Sequence, residues 1–299
     1  MAIRTIAILS PGDMGTGFGR DLGQRGRDVI TCLAGRSDVT RSRAAKAGFR
    51  EVADLDTLVS EANLVLSILP PELAPRVAHD VAEAMRRTGK SPPYADCNAI
   101  SPDTTRDIAE TMAAAGADYI DGGIIGHAPG KSDKAVRLYV SGHRAALVAE
   151  LHGGDIDIRD CGPEIGKGSA VKMCYASVTK GTNTLHTAAL ITAERLGVGD
   201  LVRGEFEYSS PAVNQRMHAM VPRLPVDAAR WIGEMVEIAK TYESVGVTPH
   251  FHHGAREIFE LLAKTPIAAE TRETIDTSRT LEQVLRIYVE QLLSREAAE

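Results

Sequence analysis

Ile6-Ala7-Ile8-Leu9-Ser10-Pro11-Gly12-Asp13-Met14-Gly15 is an apolar, β-branched run that breaks at a glycine-containing turn, after which a helical pattern continues to Gly26. Such a turn leaves backbone N–H groups and the positive end of a helix facing outward, the arrangement that receives a pyrophosphate. Of the three glycines in the dinucleotide spacing G-x-G-x-x-G, the first is Ser10 here. A tight turn without a ligand is the competing explanation, and the flanking sequence weighs against it. A second strand-like run, Asp28 to Leu33, follows at the right distance, and Arg36 and Ser37 lie just beyond its end. An acidic residue at that place would bond a ribose diol, whereas arginine with serine suits a 2′-phosphate. NADP(H) is therefore the favoured cofactor and NAD(H) the second choice; a solvated surface cation is the plainer role for Arg36 and for nearby Arg41.

Outward from this unit, the first half of the chain alternates short β-branched runs with longer amphipathic stretches, which calls for parallel strands joined by crossover helices. The strands are expected at Ile3 to Leu9, Asp28 to Leu33, Leu64 to Leu69, Tyr94 to Asp96, Asp118 to Asp121, Arg137 to Ser141 and Ile156 to Arg159. Ser101-Pro102 opens a helix to about Ala115, with a small polar N-cap and proline at the first helical position. After Cys161-Gly162-Pro163 the pattern changes. From Lys167 to about Leu196 there is no proline, and Val171, Val178, Leu185 and Leu190 recur at helical spacing. At ~1.5 Å per residue this helix spans roughly 45 Å, enough to link two domains. Beyond Gly197 no strand pattern follows, and helices are expected at Asp227 to Val245, Ala255 to Ala263 and Leu281 to Arg295. The expected fold is α/β: a Rossmann-type doubly wound sheet in residues 1–164, then an all-α C-terminal domain over 165–299 that opens with the long helix 167–196.

A chain of 299 residues has room for about two domains of ordinary size. Its 34 basic against 40 acidic residues give a net charge of −6, which argues against nucleic acid as a partner. Cys32, Cys97, Cys161 and Cys174 lie far apart with no C-x-x-C pair, a pattern that fits reduced thiols in the cytoplasm better than disulfides or zinc. No apolar run approaches the ~18 to 20 residues of a membrane helix, and the apolar start is too short and strand-like for a secretory signal. A soluble, cytoplasmic protein is expected, with a small molecule as its substrate.

Four further stretches carry a resemblance. Gly12-x-Met14-Gly15, the strand Leu66-Ser67-Ile68-Leu69-Pro70, the turn Asp96-Cys97-Asn98-Ala99-Ile100-Ser101-Pro102 and the run Ile165-Gly166-Lys167-Gly168-Ser169-Ala170-Val171-Lys172 are similar to motifs of the β-hydroxyacid dehydrogenase and 6-phosphogluconate dehydrogenase superfamily. The resemblance covers the N-terminal domain and the long helix, and it loosens after Gly197. It implies that the cofactor lies along Ser10, Pro11, Gly12, Asp13, Met14 and Gly15, with Arg36, Ser37, Leu69, Pro70 and Asn98. It also implies that Lys172 is the general acid and base, the lysine of a G-x-G-x-x-x-K motif. Chemistry gives the same assignment its reason: hydride transfer to or from an alcohol carbon requires the hydroxyl proton to move in the same event. A lysine with a pKa depressed by partial burial can carry it. A lysine in a helix is ordinarily solvent-exposed, and it is the matched glycine spacing that singles this one out.

The superfamily's substrate motif D-A-P-V-S-G-G reads Asp121-Gly122-Gly123-Ile124-Ile125-Gly126-His127 here. With Ile125 in the serine position a hydroxyl donor is lost, although the N–H groups of Gly126 and His127 can still serve a carboxylate. The substrate is then bulkier or less polar than a simple 3-hydroxy acid; a flexible loop is the alternative reading of this stretch. Tyr175, Thr179 and Asn183 fall on the helical stripe of Lys172. Tyr175 either donates its phenol to the substrate oxygen or only packs. The family's asparagine four residues after the lysine is Ala176 here, and its Lys-Asp pair is Gly233-Glu234, so the acid survives and the lysine does not. Glu234 is a candidate to orient Lys172 or the substrate, against the reading of a surface glutamate; Trp231 suits a core or an interface.

His250, His252 and His253 after Thr248-Pro249 lack the partner carboxylate or cysteine of a metal site, so no metal is assigned; a substrate contact or a surface position are the remaining readings. The expected activity is hydride transfer between nicotinamide and a secondary alcohol or ketone. A homodimer is expected, because so long a helix leaves apolar surface that one small helical domain does not cover. Imine reduction and non-catalytic NADP(H) sensing are the rival activities.

Overall fold

The computed structural model describes residues 3–296 and contains two compact units, Met1–Cys174 and Tyr175–Glu299. The first unit is built on β1 (Thr5–Ile8), β2 (Asp28–Cys32), β3 (Arg50–Val52), β4 (Leu64–Ser67), β5 (Tyr94–Asp96), β6 (Tyr119–Ile125), β7 (Val136–Ser141) and β8 (Ile156–Asp160). These form one eight-stranded sheet in the order β3-β2-β1-β4-β5-β6-β7-β8. The crossover helices are α1 (Asp13–Gln24), α2 (Asp38–Lys46), α3 (Leu55–Glu61), α4 (Ala74–Thr88), α5 (Pro102–Ala113) and α6 (Ala145–Ala149).

Alternation along each strand divides the core between the two faces. Ile6 and Ile8 of β1 join Phe18 and Leu22 of α1, with Leu64 and Leu66 of β4, on one face. Ala7 and Leu9 face the other way, against Val65 and the helix residues Leu58, Ala78, Val81, Met85 and Met112. Continuous apolar runs are what a parallel sheet covered on both faces requires. The Ser101 side chain accepts from the Thr104 N–H at 3.1 Å, which starts α5 where the Ser-Pro signal places it.

The sheet is not wholly parallel as the alternation led us to expect. β7 pairs antiparallel with β6, while β8 is parallel to β7. The reason lies in the connection: the chain between Ile125 and Val136 holds no helix, and a parallel return needs a crossover of a dozen or more residues. β3 at the sheet edge was not foreseen, since Arg50-Glu51-Val52 is short and mostly polar.

α7 (Lys167–Arg195) runs through the division between the units. The second unit continues with α8 (Gly199–Ser209), α9 (Pro211–Met220), α10 (Leu224–Glu243), α11 (His250–Ala263) and α12 (Leu281–Glu296). Its core gathers Met235, Ile238, Phe259, Leu262, Val284, Leu285 and Tyr288. The buried Tyr288 hydroxyl donates to the Val221 carbonyl at 2.8 Å. Among the described residues no helix is long and apolar enough to cross a membrane.

Candidate active site

The strand order reverses between β1 and β4, so a crevice opens outside the carboxyl ends of these two strands. The Ser10–Gly15 turn lies there. Gly12 is the N-cap of α1 and offers no side chain to it, and a Cβ placed on Gly12 would meet nothing within 4 Å. The turn is thus an open cradle in front of a helix N-terminus, the form that admits a diphosphate. Gly15 has the opposite constraint, because a Cβ there would drive into the Ser10 carbonyl oxygen. Pro11 is buried and its carbonyl accepts from the Thr16 hydroxyl at 3.0 Å, which fixes the turn from behind. Ser10 and Met14 are half-buried, and Asp13 is exposed in the first turn.

At the end of β2, Gly35 in the left-handed region (φ 71°) turns the chain so that the Arg36 N–H reaches the Leu33 carbonyl at 3.0 Å. Arg36 lines a cavity of about 380 Å³ with Leu9, Cys32, Ala34 and Arg76. Arg41 is committed elsewhere, to Glu51 and to the Leu33 carbonyl. Ser37 caps α2 by accepting from the Thr40 N–H at 3.4 Å. Arg76, on the first turn of α4, is a second guanidinium at this cavity that the sequence reading missed. Its only signal was position, shortly after the Leu69-Pro70 turn.

Leu69 is buried beside exposed Pro70. Asn98 is 2% exposed and turned inward: its carbonyl accepts from the Leu69 N–H, its amide donates to Ser67 Oγ at 2.9 Å, and its own N–H donates to Asp96 at 2.9 Å. Asn98 therefore shapes the Leu69-Pro70 turn. Burial pushes the Asp96 carboxyl up to about 7, against the Asn98 N–H that favours the charged form.

β6 brings the next group together. A Cβ on Gly123 would strike the Gly168 carbonyl oxygen and come within 2.8 Å of Lys172 Cβ. The first turns of α7 therefore lie directly on the strand backbone, at its carboxyl half. Lys172, half-buried, leaves the helix from this contact. Ile125 is buried, and Gly126, in the left-handed region (φ 129°), and His127 are exposed at the strand end. Turn and lysine thus belong to one carboxyl edge of one sheet.

Residues 5–150 match the NAD binding domain of 6-phosphogluconate dehydrogenase, and residues 193–262 match a domain of unknown function, DUF1932. The N-terminal unit is thus similar to the NAD binding domain of 6-phosphogluconate dehydrogenase. It is 27% identical over 58% of its length to an uncharacterized 28.5 kDa protein of Methanothermus fervidus, and 25% identical over 57% to the mitochondrial 3-hydroxyisobutyrate dehydrogenase of Drosophila melanogaster. It spans 64% and 52% of the lengths of these two curated relatives. A solved structure similar to it, with a TM-score of 0.64 at 27% identity over 86% of this chain and 96% of the other, is a conserved protein of unknown function described as similar to 3-hydroxyacid dehydrogenases.

The helical unit has its own polar centre. Glu234 is paired with Lys180, whose ammonium also sits 5.4 Å from the centre of the Trp231 ring. The lysine that pairs with Glu234 stands on α7, which spacing along α10 could not reveal. Asn183 is 3% exposed and accepts from Arg216 Nε at 3.2 Å, while the Thr179 carbonyl lies 3.4 Å from the same guanidinium. Arg216 stands on α9, a helix the sequence reading did not place. Tyr175 is 50% exposed. Ser177, Tyr242 and His252 line a cavity of about 690 Å³ with Val178, Leu185 and Phe251. His252 is buried, which lowers its pKa, and it meets Tyr242 edge to face at 4.5 Å. His250 and His253 lie with ring centres 5.9 Å apart; no group of three metal-binding side chains occurs among the described residues.

Proposed function

We propose that this protein is a nicotinamide-dependent dehydrogenase or reductase of the 3-hydroxy-acid class. It acts on a secondary alcohol and its ketone, prefers NADP(H), and uses Lys172 to move the proton. The observation that carries this reading is the shared carboxyl edge: the open turn at Gly12 and the Lys172 stem against Gly123 both belong to it. The likeness to a fly 3-hydroxyisobutyrate dehydrogenase supports the substrate class. When bound, the nicotinamide supplies or accepts the hydride. Ser10, Pro11, Gly12, Asp13, Met14 and Gly15 would hold the diphosphate, Arg36 and Ser37 the adenosine end, and Leu69 and Pro70 the nicotinamide end, with Asn98 holding that last turn in shape. The Lys172 ammonium gives its proton to the oxygen that becomes the alcohol; in the reverse direction the neutral amine takes it back. The N–H groups of Gly126 and His127 are left to bind the substrate's acid group, since Ile125 offers none from its side chain.

The preference for NADP(H) rests on Arg36, for which no side-chain hydrogen bond or ion pair appears among the described residues. A guanidinium that meets a 2′-phosphate bidentately contributes about 1.5–3 kcal/mol. Arg36→Ala is therefore expected to weaken NADPH binding by about 10- to 100-fold and NADH binding little. Dissociation constants from fluorescence titration check this; equal affinity of the wild type for both cofactors would remove the preference.

A homodimer is the proposed assembly. Val178 and Leu185 on α7 and Phe251 on α11 are 66%, 68% and 74% exposed, an apolar surface on the helical unit that a second copy would cover. Sedimentation equilibrium should give twice the chain mass for the wild type and a single chain mass for Leu185→Asp. A wild-type monomer at micromolar concentration would refute the assembly.

A further inference from the structure

We propose that Asp121 is a positioning residue: its buried carboxylate seats the first turn of α7 on the sheet and thereby fixes where the Lys172 amine is held. This rests on the reading of Lys172 given above. Asp96, Asp121 and Ser141 stand in register across β5, β6 and β7, and Asp121 is fully buried. Five donors converge on it. One carboxylate oxygen accepts from the Ser141 hydroxyl at 2.8 Å, the Gly166 N–H at 3.1 Å and the Ser169 N–H at 3.0 Å. The other accepts from the Ser169 hydroxyl at 2.5 Å and from Thr105 Oγ1 at 3.3 Å.

Three of these donors belong to residues 166–169, the start of α7. The first N–H groups of a helix have no partner within it and are ordinarily met by a side chain just upstream. Gly166 precedes α7 and has no side chain to offer. The cap comes instead from a strand 45 residues earlier in the chain. A carboxylate suits the task better than an amide, because every group hydrogen-bonded to it donates and because negative charge is favoured at a helix N-terminus. Ser141 extends the clamp, since its oxygen also accepts from the Gly168 N–H at 3.2 Å.

The seating leaves no slack. A Cβ on Gly168 would lie 2.6 Å from the Tyr139 carbonyl oxygen and 3.1 Å from the Asp121 carboxylate. Lys172 follows Gly168 by one helical turn, so a shift or tilt of that turn is carried directly to the lysine stem, which itself abuts Gly123. Asp121 touches neither cofactor cradle nor reacting atoms in this arrangement; its effect passes through the helix.

The test compares the full-length wild type with Asp121→Asn and Ser169→Ala. Amide hydrogen exchange of residues 166–172 reads the seating of the turn. Competitive acetylation by acetic anhydride across pH, read by mass spectrometry, gives the titration of the Lys172 amine without any substrate, with exposed Lys90 as internal reference. Asp121→Asn turns a donor toward donors, so exchange at Gly166 and Ser169 is expected to rise about tenfold or more. The Lys172 acetylation midpoint is expected to move by about half a pH unit or more, and Lys90 to stay in place. Ser169→Ala should change both readouts in the same direction by less, and it decides the matter if Asp121→Asn does not fold. Faster exchange with an unmoved Lys172 profile would make Asp121 a brace only and overturn the proposal, as would no change in either. Both readouts are independent of turnover. Full activity in a Lys172 variant would therefore sink the catalytic reading while leaving this result intact.

Discussion

Lys172→Ala is expected to lower kcat by about 10²- to 10⁴-fold, the range that a positioned acid or base contributes, while leaving the NADPH dissociation constant unchanged. In the proposed reading the cofactor's contacts fall on the turn at Gly12 and on Arg36, and the lysine serves only the proton. The variant is not expected to be unstable, because Lys172 is half-buried and a helical alanine fits the contact with Gly123. Pre-steady-state oxidation of NADPH with a 3-keto acid separates binding from chemistry. Retained turnover would mean that another group moves the proton. An undiminished response to NADPH with no turnover in the wild type would favour a sensor.

The strand-turn-helix at Ile6–Gly15 was legible because everything it needs is local: a β-branched run, a glycine that must accept close packing at Gly15, and a second strand at the right interval. The long helix was legible for the same reason, since nothing between Lys167 and Arg195 interrupts its period. Direction in the sheet was not, because β7 alternates in the same way whether it runs parallel or antiparallel; only the helix-free connection from Gly126 carried that information. α9 had a readable start in Ser210-Pro211 but little apolar stripe behind it. At the site, residue types pointed to Lys172 and Arg36, whereas partners did not announce themselves. Asn98 looks like a cofactor ligand in sequence, yet both ends of its amide are bound to Ser67 and Leu69. The Lys180–Glu234 pair joins two helices 54 residues apart, a distance no local pattern encodes. The same holds for Asp121, whose five donors come from three other segments of chain.

The stability of the sheet should fall as pH rises from about 4 to 7, and Asp96→Asn should abolish the part due to that carboxyl. In the native fold burial raises Asp96 from 3.8 to about 7, while the unfolded chain keeps the ordinary value. Below pH 4 both states bind the proton and the group contributes no slope. Between 4 and 7 only the native state binds it, so each pH unit removes about 1.4 kcal/mol of stability, and above 7 the loss is complete at about 4 kcal/mol at most. Other groups titrate in the same range, so the informative quantity is the stability of the wild type minus that of the variant. Urea unfolding followed through exchange of the β4 and β5 amides, at pH 4.5 and pH 8, should show this difference moving against the wild type by about 3 kcal/mol. A difference that is the same at both pH values would place Asp96 in a polar environment that its burial does not indicate.

The assignment of redox chemistry is tested most directly by a crystal structure of the protein with NADP⁺. The diphosphate is predicted on the N–H groups at Gly12, the 2′-phosphate against Arg36, and C4 of the nicotinamide on the side of the ring that faces the Lys172 amine. A cofactor that leaves the Gly12 turn empty, or a Lys172 amine directed into bulk solvent away from the ring, would contradict it.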